Sequence, residues 1–441
     1  MRVSSPYFDP EFHRLQERIY GPKVSIDNDS MRDCTVIKVD GINKQGLLLE
    51  VVQVLTDVNL SISKSYISAD GRWFMDVFHV KDEKGNKLTD QSVIEYIQQA
   101  IGSTSLDGLN LPDWTKTRSH TIEFPRSEKP NCDHTMIEMT GADRPGLLSE
   151  ISAALSGLRC RIIDAHAWTQ NSLLACVAHV SDQHTDDQIN DPSRLAAIND
   201  RLTSILKART ISSFSEIPMV TAQEANTPES DLHPSRVEWS VTDLERRLHQ
   251  LMLSARDFDE SYSLSSPNLI SEKKHVSVED CDEKGYLIVS IKCNDSPRLM
   301  FDCVCTLTDM QYEIYHASGR SCDGYAFQEF FIRHVNGSTL NTDSEKERIV
   351  KCMEAAIGRR VSKGVRVELC AKDREGLLSD MTRALHENGL DVVQARVATQ
   401  GDESVHSFYV RGISGNPVRD MDVGFVESLK KEMGPMKVAF Q

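Results

Sequence analysis

Asp143-Arg144-Pro145-Gly146-Leu147-Leu148 decides how this chain is read, because it or a degraded copy of it occurs four times. The other copies are Asn43-Lys44-Gln45-Gly46-Leu47-Leu48, Asp295-Ser296-Pro297-Arg298-Leu299-Met300 and Asp373-Arg374-Glu375-Gly376-Leu377-Leu378. Each follows a short apolar run and opens an amphipathic one, the pattern of a strand that turns sharply into a helix. The register then holds without gaps. Nine residues after Gly46, Gly146, Arg298 and Gly376 stand Leu55, Leu155, Leu307 and Leu385, and sixteen after stand Ile62, Ile162, Ile314 and Val392. Four in-register copies spanning a helix and the next strand mark an internal repeat.

Reading outward from the first copy, Thr35 to Val39 is a strand, and Leu47, Leu48, Val51, Val52 and Leu55 fall at helical spacing. Ile62 to Ile67 and Trp73 to Val80 alternate as strands around the turn signal Asp70-Gly71, Val93 to Ile101 is a second helix, and Thr121 to Phe124 a closing strand. Second helices recur at Leu195 to Leu206, Glu345 to Ile357 and Val423 to Met433. The order is βαββαβ, so the expected fold class is α+β with four tandem ferredoxin-like domains. The expected boundaries are an N-terminal arm at 1–30, domains at 31–126, 131–212, 284–362 and 363–441, and a linker at 213–283. Within the linker, Thr242-Asp243-Leu244-Glu245 reads as a capping box, and Leu244, Leu248, Leu251 and Met252 share one face, so one helix is expected to dock. The third and fourth copies are joined almost directly and are expected to pair with each other.

Composition limits function. With 50 basic against 66 acidic residues the net charge is −16, which repels a phosphate backbone, so nucleic acid is not an expected partner. No uncharged apolar run approaches the ~18 residues a membrane helix needs, and the N-terminus has no apolar leader segment, so no membrane partner is expected. The 11 cysteines are scattered without a Cys-x-x-Cys pair, which fits a reducing compartment, cytoplasm or nucleus.

The turn has binding chemistry of its own. A helix N-terminus offers N–H groups without intrahelical partners and a partial positive charge, which suits a small carboxylate. Gly146 lets a ligand approach the backbone, and Asp143 can accept hydrogen bonds from an ammonium group. A carboxylate site beside an ammonium site is how a free α-amino acid is recognised. Against this stands the reading in which Asp143 caps its own helix and Pro145 fills the first turn.

Longer strings resemble a known family. Glu50-Val51-Val52-Gln53-Val54-Leu55-Thr56-Asp57, Trp73-Phe74-Met75-Asp76-Val77-Phe78, the run Phe301 to Met310, the run Tyr325 to Ile332 and the run Glu368 to Gly376 are similar to the plant ACT-domain-repeat (ACR) proteins. The resemblance covers nearly the whole chain outside the linker. It implies four ACT domains paired side by side through their sheets and helices, in a non-catalytic regulatory protein that binds amino acids at paired interfaces near the turns. Carried over by position, the ligand residues are Asp143, Gly146, Leu147 and Leu148 in the second copy and Asp373, Gly376, Leu377 and Leu378 in the fourth. Asn43, Gly46, Leu47 and Leu48 are weaker equivalents. Arg298 replaces the glycine in the third copy and would crowd any ligand there.

No catalytic constellation is visible: Gly-x-x-x-x-Gly-Lys, His-Glu-x-x-His and Gly-x-Ser-x-Gly are all missing. Uridylyltransferases that sense nitrogen resemble the chain only in their tandem ACT domains. Asp420-Met421-Asp422 opens a helix, the 14 histidines form no metal spacing, and Cys303 and Cys305 point to different helix faces. The expectation is therefore no catalytic residue, no metal and no cofactor, with a free amino acid of unknown identity as ligand. A regulated protein partner and a homodimer are both compatible with it, and the rival reading is a ligand-independent scaffold of paired ACT domains.

Overall fold

The computed structural model describes residues 22–70, 73–102, 134–207, 219–224, 241–258, 275–281, 285–336, 342–360, 365–400, 402–413 and 436–440. The expected strand Thr121 to Phe124, the helix Val423 to Met433 and Asp420 to Asp422 lie outside them. The chain divides into two compact units: residues 1–115, 229–242 and 270–354 form one, and residues 116–228, 243–269 and 355–441 the other.

In the first unit, the first repeat supplies β1 (Lys23–Asp27), β2 (Thr35–Ile42), α1 (Leu47–Asp57), β3 (Ser61–Asp70), β4 (Trp73–Lys81) and α2 (Gln91–Gly102). For the second unit, the second repeat supplies β5 (Thr135–Ala142), α3 (Leu147–Gly157), β6 (Cys160–Gln170), β7 (Leu173–Asp182), α4 (Pro192–Lys207) and β8 (Met219–Glu224). After α5 (Val241–Ser254), the third repeat comprises β9 (His275–Cys281), β10 (Tyr286–Asn294), α6 (Leu299–Asp309), β11 (Tyr312–Cys322), β12 (Tyr325–His334) and α7 (Asp343–Arg360). The fourth comprises β13 (Val365–Lys372), α8 (Leu377–Glu387), β14 (Leu390–Gln400), β15 (Glu403–Gly412) and β16 (Met436–Phe440).

Each unit has one eight-stranded antiparallel sheet. The orders are β1-β2-β4-β3-β11-β12-β10-β9 and β16-β13-β15-β14-β6-β7-β5-β8. The strands alternate as period-2 segments must: along β4, Phe74, Phe78 and Val80 are inside at 5, 0 and 0% exposure while Trp73 and Met75 face outward. In α3, Leu147, Ile151 and Leu155 bury the helix face that the repeat register defines.

The first repeat pairs with the third and the second with the fourth, not the third with the fourth. Strand β3 pairs with β11 from Ser68 opposite His316 to Lys64 opposite Arg320, and β6 pairs with β14 from Trp168 opposite Gln394 to Asp164 opposite Ala398. A short connection sets which copies follow one another, but a free strand edge is satisfied by the backbone that can complete its ladder. The partners also share a strand order. In the first and third repeats the outer edge strand, β1 or β9, comes before the first central strand; in the second and fourth, β8 or β16 comes at the end. Strands β1, β8 and β9 thus lie outside the intervals 31–126, 131–212 and 284–362 read from the sequence. The linker helix α5 has Leu244, Leu248, Leu251 and Met252 at 2, 0, 2 and 0% exposure.

All four turns share one backbone device. The residue before each first helix, Gly46, Gly146, Arg298 or Gly376, is left-handed at φ 84, 82, 67 and 73°, and none makes a side-chain cap bond. The glycine is therefore not inside the helix; it is the joint, where an L side chain costs about 1–2 kcal/mol. Space differs between copies. A Cβ at Gly46 would meet nothing within 4 Å, whereas at Gly146 it would lie 3.2 Å from the His386 ring. Gly46→Ala and Gly376→Ala should each lower stability by about 1 kcal/mol, and Gly146→Ala by more, in urea denaturation. Equal losses at all three would contradict the close approach of His386.

Candidate functional site

In the second unit, the turn of the second repeat faces the start of β14. Between them lies a small open cleft lined by Asp143, Gly146, Leu147, Leu148 and Ser149 on one side and by Thr382, His386 and residues 390–395 on the other. The β6–β14 ladder forms its floor, where Ala167 sits opposite Ala395.

Asp143 does not cap its own helix. Its N–H donates to Ser172 O at 2.7 Å, which fixes the end of β5, and its carboxyl accepts from Arg144 N–H and Thr169 Oγ1. At this helix start Leu147 N–H donates to Arg144 O and Glu150 N–H to Gly146 O, while the N–H groups of Leu148 and Ser149, two residues that line the cleft, have no backbone acceptor among the described residues. Arg144 is turned away, held by both Glu150 oxygens at 2.6 Å.

Across the cleft stands Asp391, with Arg411 donating to its Oδ2 from Nε at 3.1 Å and from Nη2 at 2.9 Å. Burial pushes the Asp143 carboxyl up to about 7; the neighbouring Asp391 adds to this, while Arg411, Arg144 N–H and Thr169 oppose it. Two carboxylates against one guanidinium leave the cleft wanting a cation. The His386 imidazole covers Gly146, and its buried Nδ1 has no partner among the described residues.

The pseudo-equivalent turn of the fourth repeat is built differently. Arg161 Nε and Nη2 donate to Asp373 Oδ2 at 3.1 and 3.0 Å, and Arg161 Nη1 donates to Asp186 at 3.1 Å. Arg161 and Asp391 occupy the same place in the repeat, fifteen residues after Gly146 and Gly376, with opposite charge. The cation missing beside Asp143 is thus built in beside Asp373. Gly376 lies near Ser156 at 3.7 Å from an added Cβ, Leu377 is core at 3% exposure, and Leu378 lines an apolar cavity under the helix pair.

In the first unit, Asn43 is exposed, Gly46 faces open space, Leu47 is core at 6% exposure and Leu48 is half-buried. Arg298 adopts the left-handed joint and donates from Nη2 to Asn59 Oδ1 at 3.2 Å.

Helix α5 braces the back of the cleft floor. Arg247 Nη2 donates to Glu138 Oε2 at 2.7 Å, and the His249 ring meets Trp168 edge-on at 5.0 Å. Arg359 donates to both Asp257 oxygens at 2.8 and 2.7 Å with both residues buried, and its carbonyl accepts from the cleft residue Gln394 at 2.9 Å.

Of the residues read from sequence, Asp143, Gly146, Leu147 and Leu148 are brought together at one cavity, whereas Asp373, Gly376 and Leu377 are not in it. The opposing Asp391 and His386, the Arg411 that pairs with Asp391, and Thr169 on the near side were not foreseen. One signal existed: Ser61, Arg161, Glu313 and Asp391 place a polar residue at the first or second position of the strand in every copy.

Asp143→Asn tests the electrostatics. A carboxyl whose pKa rises on folding binds its proton more tightly in the native state, so stability falls as pH climbs from the unfolded value near 4 to about 7. The variant should match the parent at pH 4, gain relative to it through that window by up to about 4 kcal/mol, and run parallel above it. Urea denaturation at pH 4, 6 and 8 measures this, and a constant difference across the three would refute the assignment.

Residues 30–108 match the family described as "ACR family N-terminal ACT domain", and residues 133–187 match "ACT domain". ACT domain-containing protein ACR2 of Arabidopsis thaliana is 54% identical, over 99% of this chain and 88% of that protein. ACT domain-containing protein ACR3 of the same plant is 46% identical, over 98% and 90%. Similarity to the bifunctional uridylyltransferase/uridylyl-removing enzyme of Azospirillum brasilense, at 36% identity, is confined to 20% of this chain and 10% of that enzyme. Near-complete coverage at such identity, on two sheets of paired ferredoxin-like repeats, means that this chain belongs to the plant ACT-domain-repeat (ACR) family.

Proposed function

We propose that the second unit binds one free amino acid in the Asp143 cleft, and that the chain is a non-catalytic regulatory protein of the amino-acid-sensing type. The observation that carries the reading is the contrast between equivalent turns: Asp373 already holds a guanidinium, while Asp143 faces a second carboxylate across a cavity. The ligand's ammonium takes the place between Asp143 and Asp391, where it satisfies both. Its carboxylate meets the N–H groups of Leu148 and Ser149 at the positive end of α3. Gly146 keeps that approach free of a side chain, and Leu147 and Leu148 hold the helix end in place. The turn at Asp373 serves as an ion-paired joint, and the turns at Asn43 and Asp295 as structural ones.

Regulation follows from linkage. The cleft walls come from two repeats, so a ligand that touches both favours the arrangement in which they are closed together. A partner protein that reads that arrangement would then respond to amino-acid concentration.

Calorimetric titration with the standard L-amino acids should give one molar equivalent for at least one of them. At a hundred times its dissociation constant that ligand should add about 2.7 kcal/mol of stability. Asp143→Asn should weaken binding at least tenfold without unfolding the protein. Neither heat nor a thermal shift with any amino acid would sink this reading and leave the paired-domain scaffold.

A further inference from the structure

In the second unit the sheet face turned away from α3 and α8 is covered. Leu173, Ala175 and His166 on it are 2, 0 and 4% exposed, and α5 reaches it through Arg247 on Glu138 and through His249 on Trp168. Farther across, Val405 packs with Cys370 and Ala398. The repeat register, counted from Gly46 against Gly146 and from Arg298 against Gly376, gives the same positions in the first unit. There the face is open: Trp73, Met75 and Tyr66, in the places of Leu173, Ala175 and His166, are 57, 58 and 49% exposed. Its charge is reversed as well. Lys38 stands where Glu138 does, and it borders the apolar patch, opposite Val77, which is itself opposite Tyr66. Lys292, Arg320 and Phe327 replace Cys370, Ala398 and Val405, with the two cations 5.5 and 5.0 Å from the centre of the Phe327 ring. Strand pairing sets Lys64 opposite Arg320, Arg320 opposite Phe327 and Phe327 opposite Lys292, a basic stripe across β3, β11, β12 and β10. Among the described residues these three cations rest on aromatic rings and make no salt bridge. In a chain of net charge −16, apolar surface bordered by cations on one face marks a binding surface.

From this contrast we propose that the open face of the first unit receives an amphipathic helix of a partner protein, one that carries acidic residues beside its apolar stripe. The helix takes the place on this sheet that α5 takes on the other. Its apolar side chains cover Trp73, Met75 and Tyr66, residue types that dominate interface energetics when they are buried. Its carboxylates meet Lys38 on one flank and the stripe of Lys64, Arg320 and Lys292 on the other, where Glu138 of the second unit meets the arginine of α5. Four strands ~4.8 Å apart span about 14 Å, enough to seat a helix ~10 Å across. A second copy of the chain fits less well, because two such faces bring like charges together. A polyanion would use the same cations, but it has to approach a chain of net charge −16, whereas a short acidic helix carries only a few charges.

The test is fluorescence anisotropy on the full-length protein with two stapled, fluorescein-labelled helical peptides of residues 241–254, one unaltered and one carrying Arg246→Glu and Arg247→Glu. The acidic peptide should bind at least tenfold more tightly than the unaltered one, and should weaken severalfold when salt is raised from about 0.05 to about 0.5 M. Trp73→Ser with Met75→Ser, two exposed positions whose fold is checked by circular dichroism, should weaken the acidic peptide at least tenfold. Lys38→Glu with Lys292→Glu should invert the preference in favour of the unaltered peptide, a gain that a damaged fold cannot produce. Equal binding of the two peptides, binding of neither, or acidic-peptide binding untouched by these substitutions overturns the proposal. An oligouridine that binds the parent more tightly than the acidic peptide, and is lost in the Trp73→Ser, Met75→Ser variant, overturns it in favour of single-stranded nucleic acid. A parent that sediments as a dimer, and becomes a monomer in that variant, overturns it in favour of a second copy.

Discussion

The antiparallel ladder between β6 and β14, five residue pairs long, is the constraint on which the second unit depends. It joins two four-stranded halves into one sheet and fixes a pseudo-twofold relation between them. Because the ladder is antiparallel, each repeat's strand-to-helix turn is carried to the head of the other's central strand. The position three residues before the turn glycine therefore meets the position fifteen after it in the partner, which is how Asp373 meets Arg161 and Asp143 meets Asp391. The first unit uses the same device between β3 and β11. There Gly319 lies opposite Ser65, and a Cβ on it would stand 2.5 Å from Ser65 Oγ, so glycine is what allows the strands to close at that point.

The repeated unit was readable in the sequence because its signals are local. A strand turning into an amphipathic helix leaves a period-3.6 stripe and a left-handed joint, and both recur at fixed spacing in Leu55, Leu155, Leu307 and Leu385. The reading in which Asp143 caps the helix placed its start three residues early, since the cap position is Gly146. Edge strands were the least legible elements. Lys23–Asp27 and His275–Cys281 are short, pair on one side only and have few inward positions, so they resemble linker until a ladder is seen. Domain pairing was misjudged for a different reason: a short connection between the third and fourth repeats makes them neighbours along the chain, but the ladders pair first with third and second with fourth.

Half of the candidate site was visible in the same way. Asp143 to Leu148 form a continuous string and could be read as such, whereas Asp391, Arg411 and His386 reach the cleft only through the pairing. A site shared between domains divides its residues between two distant stretches, and one stretch alone looks like a cap. Four copies of a turn therefore argue for a fold element, while the differences between the copies argue for function.

Those differences have an energetic direction. At Asp373 the guanidinium of Arg161 compensates the carboxylate within the fold, and nothing is left for a ligand to add. At Asp143 the same position carries Asp391, and burial holds the carboxyl near neutrality as a poor anion in a poor environment. Such an arrangement is destabilising in isolation, and a folded protein tolerates it where the surroundings over-determine the geometry. Here they do: β5 is tied at Ser172, Arg144 is locked on Glu150, and α5 braces the sheet behind the floor through Arg247 and the buried Arg359–Asp257 pair. On the proposed reading, the stability given up at one turn is what the ammonium of an amino acid would restore. The closed copy beside it has no such deficit, so two turns that share a backbone differ in the charge that faces their carboxylate.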